Sequence, residues 1–322
     1  MMPSRAEWPA WVLIGIFATA IATNAFDYSV LVPQQPKRYE MHRAIVDGTA
    51  PVPQRFRILV PWALDPIIRA AASVTDPEQA FRRVYFAFHF AALTALLAGV
   101  YAYSRMWFTR DRALIGTLIV GSTLHLVLRM GEYRDFAPIP ERTWFAPWSL
   151  LEPVFVSAGL LLLSRRLIGP FALLTVIAAV NSEASILLPL LALAVPGEEK
   201  RPSTWLRARD GLVLLALWLF VNALLRIGLG GGAWPSLMFN ENLEHLPTTL
   251  INAGLFLGPA ALLVVIGFRH APVFAQWASL ASIPLLIAVA LFGYWWDVRL
   301  LTPLYPLVTP LMLSAIFDRR AS

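Results

Sequence analysis

Asp27 stands where the first long apolar run gives way, in "TNAFDYSVLVPQQPKRYE", and Glu183 is the single charge within residues 167–197. A carboxylate at a membrane boundary can end a helix in water or take a proton from a hydroxyl. One in the middle of an apolar stretch costs ~2.5–3.5 kcal/mol on insertion scales unless it reaches a partner or a cavity. Glu183 is therefore a candidate functional group, with a carbohydrate hydroxyl or an outer-loop arginine as its expected partner; a hairpin turn in water would remove the cost. Arg55 and Arg57 lie two residues apart in "PQRFRILVPW", and Arg299 follows Asp297 in "WWDVR". A guanidinium grips phosphate in two-pronged fashion, although each of these arginines could instead snorkel to lipid headgroups. Tyr133, Arg134, Asp135, Glu141 and Arg142 crowd a proline-containing loop, "GEYRDFAPIPER". Of these, Asp135 and Glu141 could help bind an acceptor or, with Asp27, a divalent cation, or be solvated loop charges.

Composition states what must hold these groups. Hydrophobic residues make up 58% of the 322 and charged residues only 14%, against about half and a quarter in soluble domains. Apolar stretches long enough to cross ~30 Å of hydrocarbon recur, so the expected fold is an all-α, polytopic membrane protein, a single domain over residues 1–322. The formal charge of +6 does not point to nucleic acid, because Lys and Arg sit in short segments between apolar runs. Without cysteine there is no disulfide framework, thiolate nucleophile or sulfur-ligated metal. Arg5 and the following apolar run also fit a cleavable signal peptide, but the run is long enough to span and is read as a retained first helix.

Spans are expected near residues 8–26, 84–104, 113–129, 144–163, 211–226, 247–267, 276–293 and 299–316. Residues 57–74, with Asp65, Arg69 and two prolines, read as a helix lying in the interface or dipping into it. Residues 167–197 would make one helix of ~45 Å, too long without steep tilt, and read instead as a tight hairpin turning at "NSE". With those choices, 105–112, 164–166, 197–210, 267–274 and the tail fall on one side with Arg5, which the positive-inside bias makes cytoplasmic. About ten crossings follow, with both termini cytoplasmic and a long extracytoplasmic first loop, 27–83, holding membrane-parallel helices. Asp27, Arg55, Arg57, the 131–142 loop, the "NSE" turn, "FNENLEH" and "WWDVR" then share the outer face, which suggests a polar site at that boundary.

In this architecture and in three short segments the chain resembles the C-type membrane glycosyltransferases (the GT-C fold). "RFRILVPWAL" looks like their Arg-x-Leu-x-Pro segment, "VNSEASILLPLLAL" their Asn-Arg-Glu-Thr segment, and "DVRLLTPLYPL" their closing arginine-containing motif. The second match departs from the pattern: Ser182 stands where the family usually has Arg, and Ser185 where it has Thr. The resemblance implies transfer of a sugar from a polyprenyl-phosphate lipid donor to a glycan or lipid acceptor outside a bacterial inner (plasma) membrane. It places Asp27 as the catalytic base and Arg55, Arg57 and Arg299 at the donor phosphate. Tyr133, Arg134, Asp135, Glu141, Arg142, Glu183 and Asp297 become substrate-binding candidates, with Mg or Mn as the cation if one is used.

Two competing readings are a transporter or flippase of a lipid-linked or anionic solute, with Glu183 and the arginines along its path, and a non-catalytic subunit of an envelope-polymer assembly. The boundary clustering of charge favours the transferase. "GLGGGAWP" (228–235) lacks the Lys-Ser/Thr ending of a phosphate loop. His89 and His125, with no ligand at i+4, read as hydrogen-bonded histidines within spans.

Overall fold

The computed structural model describes residues 7–31, 35–130, 148–195, 204–231, 238–244, 246–247, 250, 254, 258–293, 295 and 298–317. It is 85% helix, and no strand occurs among the described residues. The long elements are α1 (Trp8–Leu31), α4 (Pro77–Ser104), α5 (Arg110–Met130), α6 (Trp148–Ser164), α7 (Ile168–Asn181) and α9 (Thr204–Gly228). Between α1 and α4 lie α2 (Gln35–Val46), a 3-10 turn (Gln54–Phe56) and α3 (Leu59–Ala72). Between α7 and α9 come a second 3-10 turn (Glu183–Ile186) and α8 (Leu187–Ala194). The chain closes with α10 (Phe239–Glu244), α11 (Gly258–Phe268), α12 (Val273–Leu280), α13 (Ile283–Phe292), a 3-10 segment (Val298–Leu304) and α14 (Tyr305–Ile316).

Three helical stretches, Pro77–Ser104, Ala208–Gly228 and Val273–Phe292, are long and apolar enough to cross a membrane. Shorter apolar helices include Trp148–Ser164, Ile168–Asn181 and Leu300–Ile316. Leu212, Val213, Leu219, Phe220, Leu224 and Ile227 of α9 are all more than half exposed. Water penalises such a face, whereas lipid accepts it.

Ala10, Ile14, Ala18, Ile21 and Ala22 of α1 form one buried stripe, while Val12, Leu13 and Ile16 point outward. The small residues let α1 approach Leu93, Leu96 and Leu97 of α4 and Val120 and Leu124 of α5, since helix association in lipid rests on close packing rather than on water exclusion. Gly267 carries this furthest: a Cβ there would strike the Leu311 carbonyl oxygen of α14 and lie 2.9 Å from Ala315 N.

Element ends differ from the expected bounds for local reasons. α1 runs past Phe26 to Leu31 because "YSVL" offers no breaker before Pro33. α4 starts at Pro77 because Asp76 caps it, its Oδ2 accepting from Glu78 N at 3.0 Å and Gln79 N at 3.1 Å, with proline at the first helical position. The last proline-rich stretch divides: Pro303 lies in the 3-10 segment and Pro306 in the first turn of α14, where its missing N–H would have had no helical partner.

α8 runs back antiparallel to α9. Glu183 meets Arg226, Trp218 Nε1 donates to Ser185 Oγ at 2.8 Å, and Gly211 abuts Leu193. Leu188 returns to the level of Gly159, beside Phe171, so the chain reverses at "NSE". At the other end of the bundle Glu7 pairs with Arg105 at 3.6 Å, and Tyr103 packs edge-on to Trp107 with centroids 4.8 Å apart. Hence α1 and α4 are antiparallel, and the last turn of α1 ends where α4 begins.

Candidate functional site

The site grows from three backbone devices. The 3-10 turn at 54–56 buries Phe56 and delivers Arg57 just before α3. α7 stops at Asn181, whose Nδ2 donates to the Trp148 carbonyl at 3.1 Å. Ser182 then extends (φ −168°, ψ 152°), its hydroxyl oxygen accepting from Ala184 N at 3.1 Å while Ser185 Oγ donates to the Ser182 carbonyl at 2.6 Å. Such local side-chain bonds stabilise a tight turn where a helix would otherwise continue. The turn presents Glu183 to two arginines from distant parts of the chain.

Arg57 Nε donates to Glu183 Oε2 at 3.1 Å, and an Arg226 terminal nitrogen lies 3.8 Å from Glu183 Oε1. The first is a hydrogen bond; the second is too long for one. Each guanidinium also lies over a ring, Arg57 5.1 Å from the Trp148 centroid and Arg226 4.8 Å from that of Phe56, a contact worth ~0.5–2 kcal/mol according to desolvation. Arg55 Nε donates to the Ala50 carbonyl at 2.9 Å, with a long contact to the Leu229 carbonyl at 3.5 Å. Two arginines thus converge on one carboxylate, with Arg55 two residues before Arg57 bonded to backbone carbonyls, and the side chains of Arg57, Arg226 and Glu183 all keep accessible surface. The amide oxygens of Asn181 and Gln54, both buried, have no donor among the described residues.

A second polar cluster ties the first loop to α4. His42 of α2 is fully buried; its Nδ1 lies 3.1 Å from the Tyr85 hydroxyl and its Nε2 3.3 Å from Asp65 Oδ1. Neutral His42 with its proton on Nε2 donates to Asp65 and accepts from Tyr85. Arg69 Nε reaches Asp65 Oδ2 at 2.6 Å, and Arg43 approaches Oδ1 at 3.6 Å. Burial lowers the His42 pKa below its ordinary 6.5, a shift that Asp65 opposes by hydrogen bond and charge and that Arg43 and Arg69 reinforce. Asp65 points into the protein, and α3 buries it with Val60, Pro61 and Ile68. His89 also finds a partner: its Nδ1 lies 2.6 Å from the Tyr85 carbonyl.

Of the expected site residues, Arg55, Arg57 and Glu183 meet at one end of the bundle. Asp27 lies about one turn before the end of α1, which ends on that side, but its side chain is outside the described residues. Arg299 falls in the 3-10 segment Val298–Leu304 with its side chain likewise outside them. Tyr133, Arg134, Asp135, Glu141, Arg142, Asp297 and the side chain of His125 lie outside the described residues as well. Among the described residues no group of three or more His, Asp or Glu could hold a metal ion; Asp27, Asp135 and Glu141, the expected cation ligands, are not within that set.

Arg226 is the functional candidate that sequence reasoning missed, yet it carried a signal. It is the one charge between Asp210 and Glu241, an isolation like that which singled out Glu183. The described residues form an all-helical bundle with an arginine–carboxylate cluster at one end. No known protein family, no curated protein and no solved structure matches the chain.

Proposed function

We propose that this chain is a polytopic membrane glycosyltransferase of GT-C-like architecture, with about ten spans, both termini cytoplasmic, and its site at the extracytoplasmic boundary of a bacterial inner membrane. It would move a sugar from a polyprenyl-phosphate donor to a glycan or lipid acceptor. The observation that carries the reading is the convergence of Arg57 and Arg226 on Glu183, at the end of the bundle where α1, the helix of Asp27, terminates. A leaving polyprenyl phosphate gains charge as the glycosidic bond breaks, and fixed guanidinium groups stabilise that charge where it develops. Arg226 supplies from α9 a guanidinium beside the "NSE" turn, where Ser182 replaces the arginine of the resembling segment.

In this reading Asp27 accepts the proton of the acceptor hydroxyl as the new bond to the anomeric carbon forms, and single displacement inverts that carbon. Arg55 and Arg299 add positive charge near the phosphate. Tyr133, Arg134, Asp135, Glu141, Arg142 and Asp297 would shape the acceptor side, and a Mg or Mn ion, if used, would be held by Asp27 with Asp135 and Glu141. The test is consumption of donor by purified protein in proteoliposomes, over a panel of polyprenyl-phospho-sugars with mixed envelope glycans and lipids as acceptors. Release of free polyprenyl phosphate supports the reading; a panel left intact, with donor bound by none of its members, overturns it.

A further inference from the structure

We infer that Glu183 is an internal counter-anion that holds the phosphate site of the unliganded protein and must give way when an anionic ligand arrives. The inference rests on the reading that Arg57 and Arg226 bind phosphate, and it concerns how that site is regulated.

Anchorage of the three side chains is unequal. Arg57 is held by the Trp148 face and Arg226 by the Phe56 face, so each guanidinium keeps a support that does not involve Glu183. The carboxylate contacts no cation but these two arginines among the described residues, and it leaves a turn whose fold is set by Ser182 and Ser185 rather than by its own side chain. About 30% of its side chain is accessible, which leaves it room to turn aside. Its grip is also incomplete: one hydrogen bond at 3.1 Å to Arg57 Nε and a 3.8 Å ion pair to Arg226. The terminal nitrogens of Arg57 donate to nothing among the described residues.

A phosphate ester offers more oxygens and at least equal charge, and it could take two-pronged bonds from both guanidinium groups where the carboxylate takes one. The carboxylate offsets the mutual repulsion of the cations while the site is empty and competes with the ligand for them. Removing its charge should therefore strengthen phosphate binding, the reverse of what removal of an ordinary ligand-contacting or fold-bearing side chain would do.

The experiment measures binding of dodecyl phosphate and of inorganic phosphate to detergent-purified parent, Glu183→Gln and Arg57→Gln proteins by isothermal calorimetry, with thermal melts in parallel. The expected result is about 10-fold tighter dodecyl phosphate binding by Glu183→Gln, equivalent to ~1.4 kcal/mol, and loss of binding by Arg57→Gln. If the alkyl ester alone is bound, the site takes a lipid phosphate; if both bind alike, it takes free phosphate also. Equal or weaker binding by Glu183→Gln overturns the counter-anion role while parent binding and its loss in Arg57→Gln leave the phosphate site standing. No binding by parent or Glu183→Gln overturns both. Unfolding of Glu183→Gln would also count against the inference, because the ring supports are argued to make the carboxylate dispensable for the fold.

Discussion

Asp65→Ala and Asp65→Asn test whether α2 is held to α3 through the buried His42–Asp65 hydrogen bond. Arg69 and Arg43 are 62% and 38% accessible in their pairs with Asp65, so each pair contributes only about 0–1 kcal/mol. His42, with no accessible surface, is different: without an acceptor its buried N–H is left unsatisfied, at a cost of ~1–3 kcal/mol. Asp65→Ala should then cost roughly 2–4 kcal/mol in total, and Asp65→Asn, which keeps an oxygen for His42, about 1 kcal/mol. Melting in detergent should show a Tm loss of roughly 5–10 °C for alanine and 2–4 °C for asparagine, with hydrogen exchange rising first in 35–46. The sign of the pH effect follows from the lowered His42 pKa: its stabilising neutral form is fully present above about 6.5 and is lost as pH falls through the folded value. Parent Tm should fall between pH 7.5 and 5, and His42→Asn should flatten that fall. Equal losses for the two Asp65 variants would refute the argument, since the charge on exposed arginines, not the buried bond, would then set the cost.

Gly267→Ala should lower stability by ~1–3 kcal/mol in spite of better helix propensity, because the Leu311 carbonyl has nowhere to go; a neutral or raised Tm would contradict the α11–α14 approach. With no native cysteine, Cys replacing Asn240 should react with an impermeant thiol reagent in intact cells and Cys replacing Ser203 should not. The reverse pattern would put the site in the cytoplasm and remove the polyprenyl-donor reading. Lysine at Arg57, Arg226 or Arg299 keeps charge but loses the planar fork, so at least one should weaken donor-lipid binding severalfold at unchanged Tm. Unchanged affinity in all three would make these arginines headgroup contacts only.

The need for a partner at Glu183 was legible from its isolation in an apolar run, and the reversal at "NSE" from the excess length of one helix over a bilayer. An arginine was one of the two partners expected for Glu183, and Arg57, from the segment before α3, meets it. Arg226 was not legible as its companion, because a charge at the end of an apolar helix reads as a headgroup contact until α8 is packed against α9. The His42–Asp65–Tyr85 cluster left no local trace: its members lie on three helices, and only the docking of α2 and α3 on α4 brings them together. The buried stripe of α3 includes Asp65, which the interfacial reading of 57–74 gave no reason to expect.

Glycosyl transfer with Asp27 as base is tested most directly by donor consumption in Asp27→Asn. Asparagine keeps size and polarity but cannot take up a hydroxyl proton, and general-base assistance contributes roughly 10²–10⁴ in rate, about 3–5 kcal/mol of barrier. Released polyprenyl phosphate per unit time, measured beside the parent in the same proteoliposomes, should drop at least 100-fold, a fall in line with that range, while Tm and dodecyl phosphate binding stay at parent values. Transfer within about threefold of the parent, far less than general-base loss allows, would contradict the account.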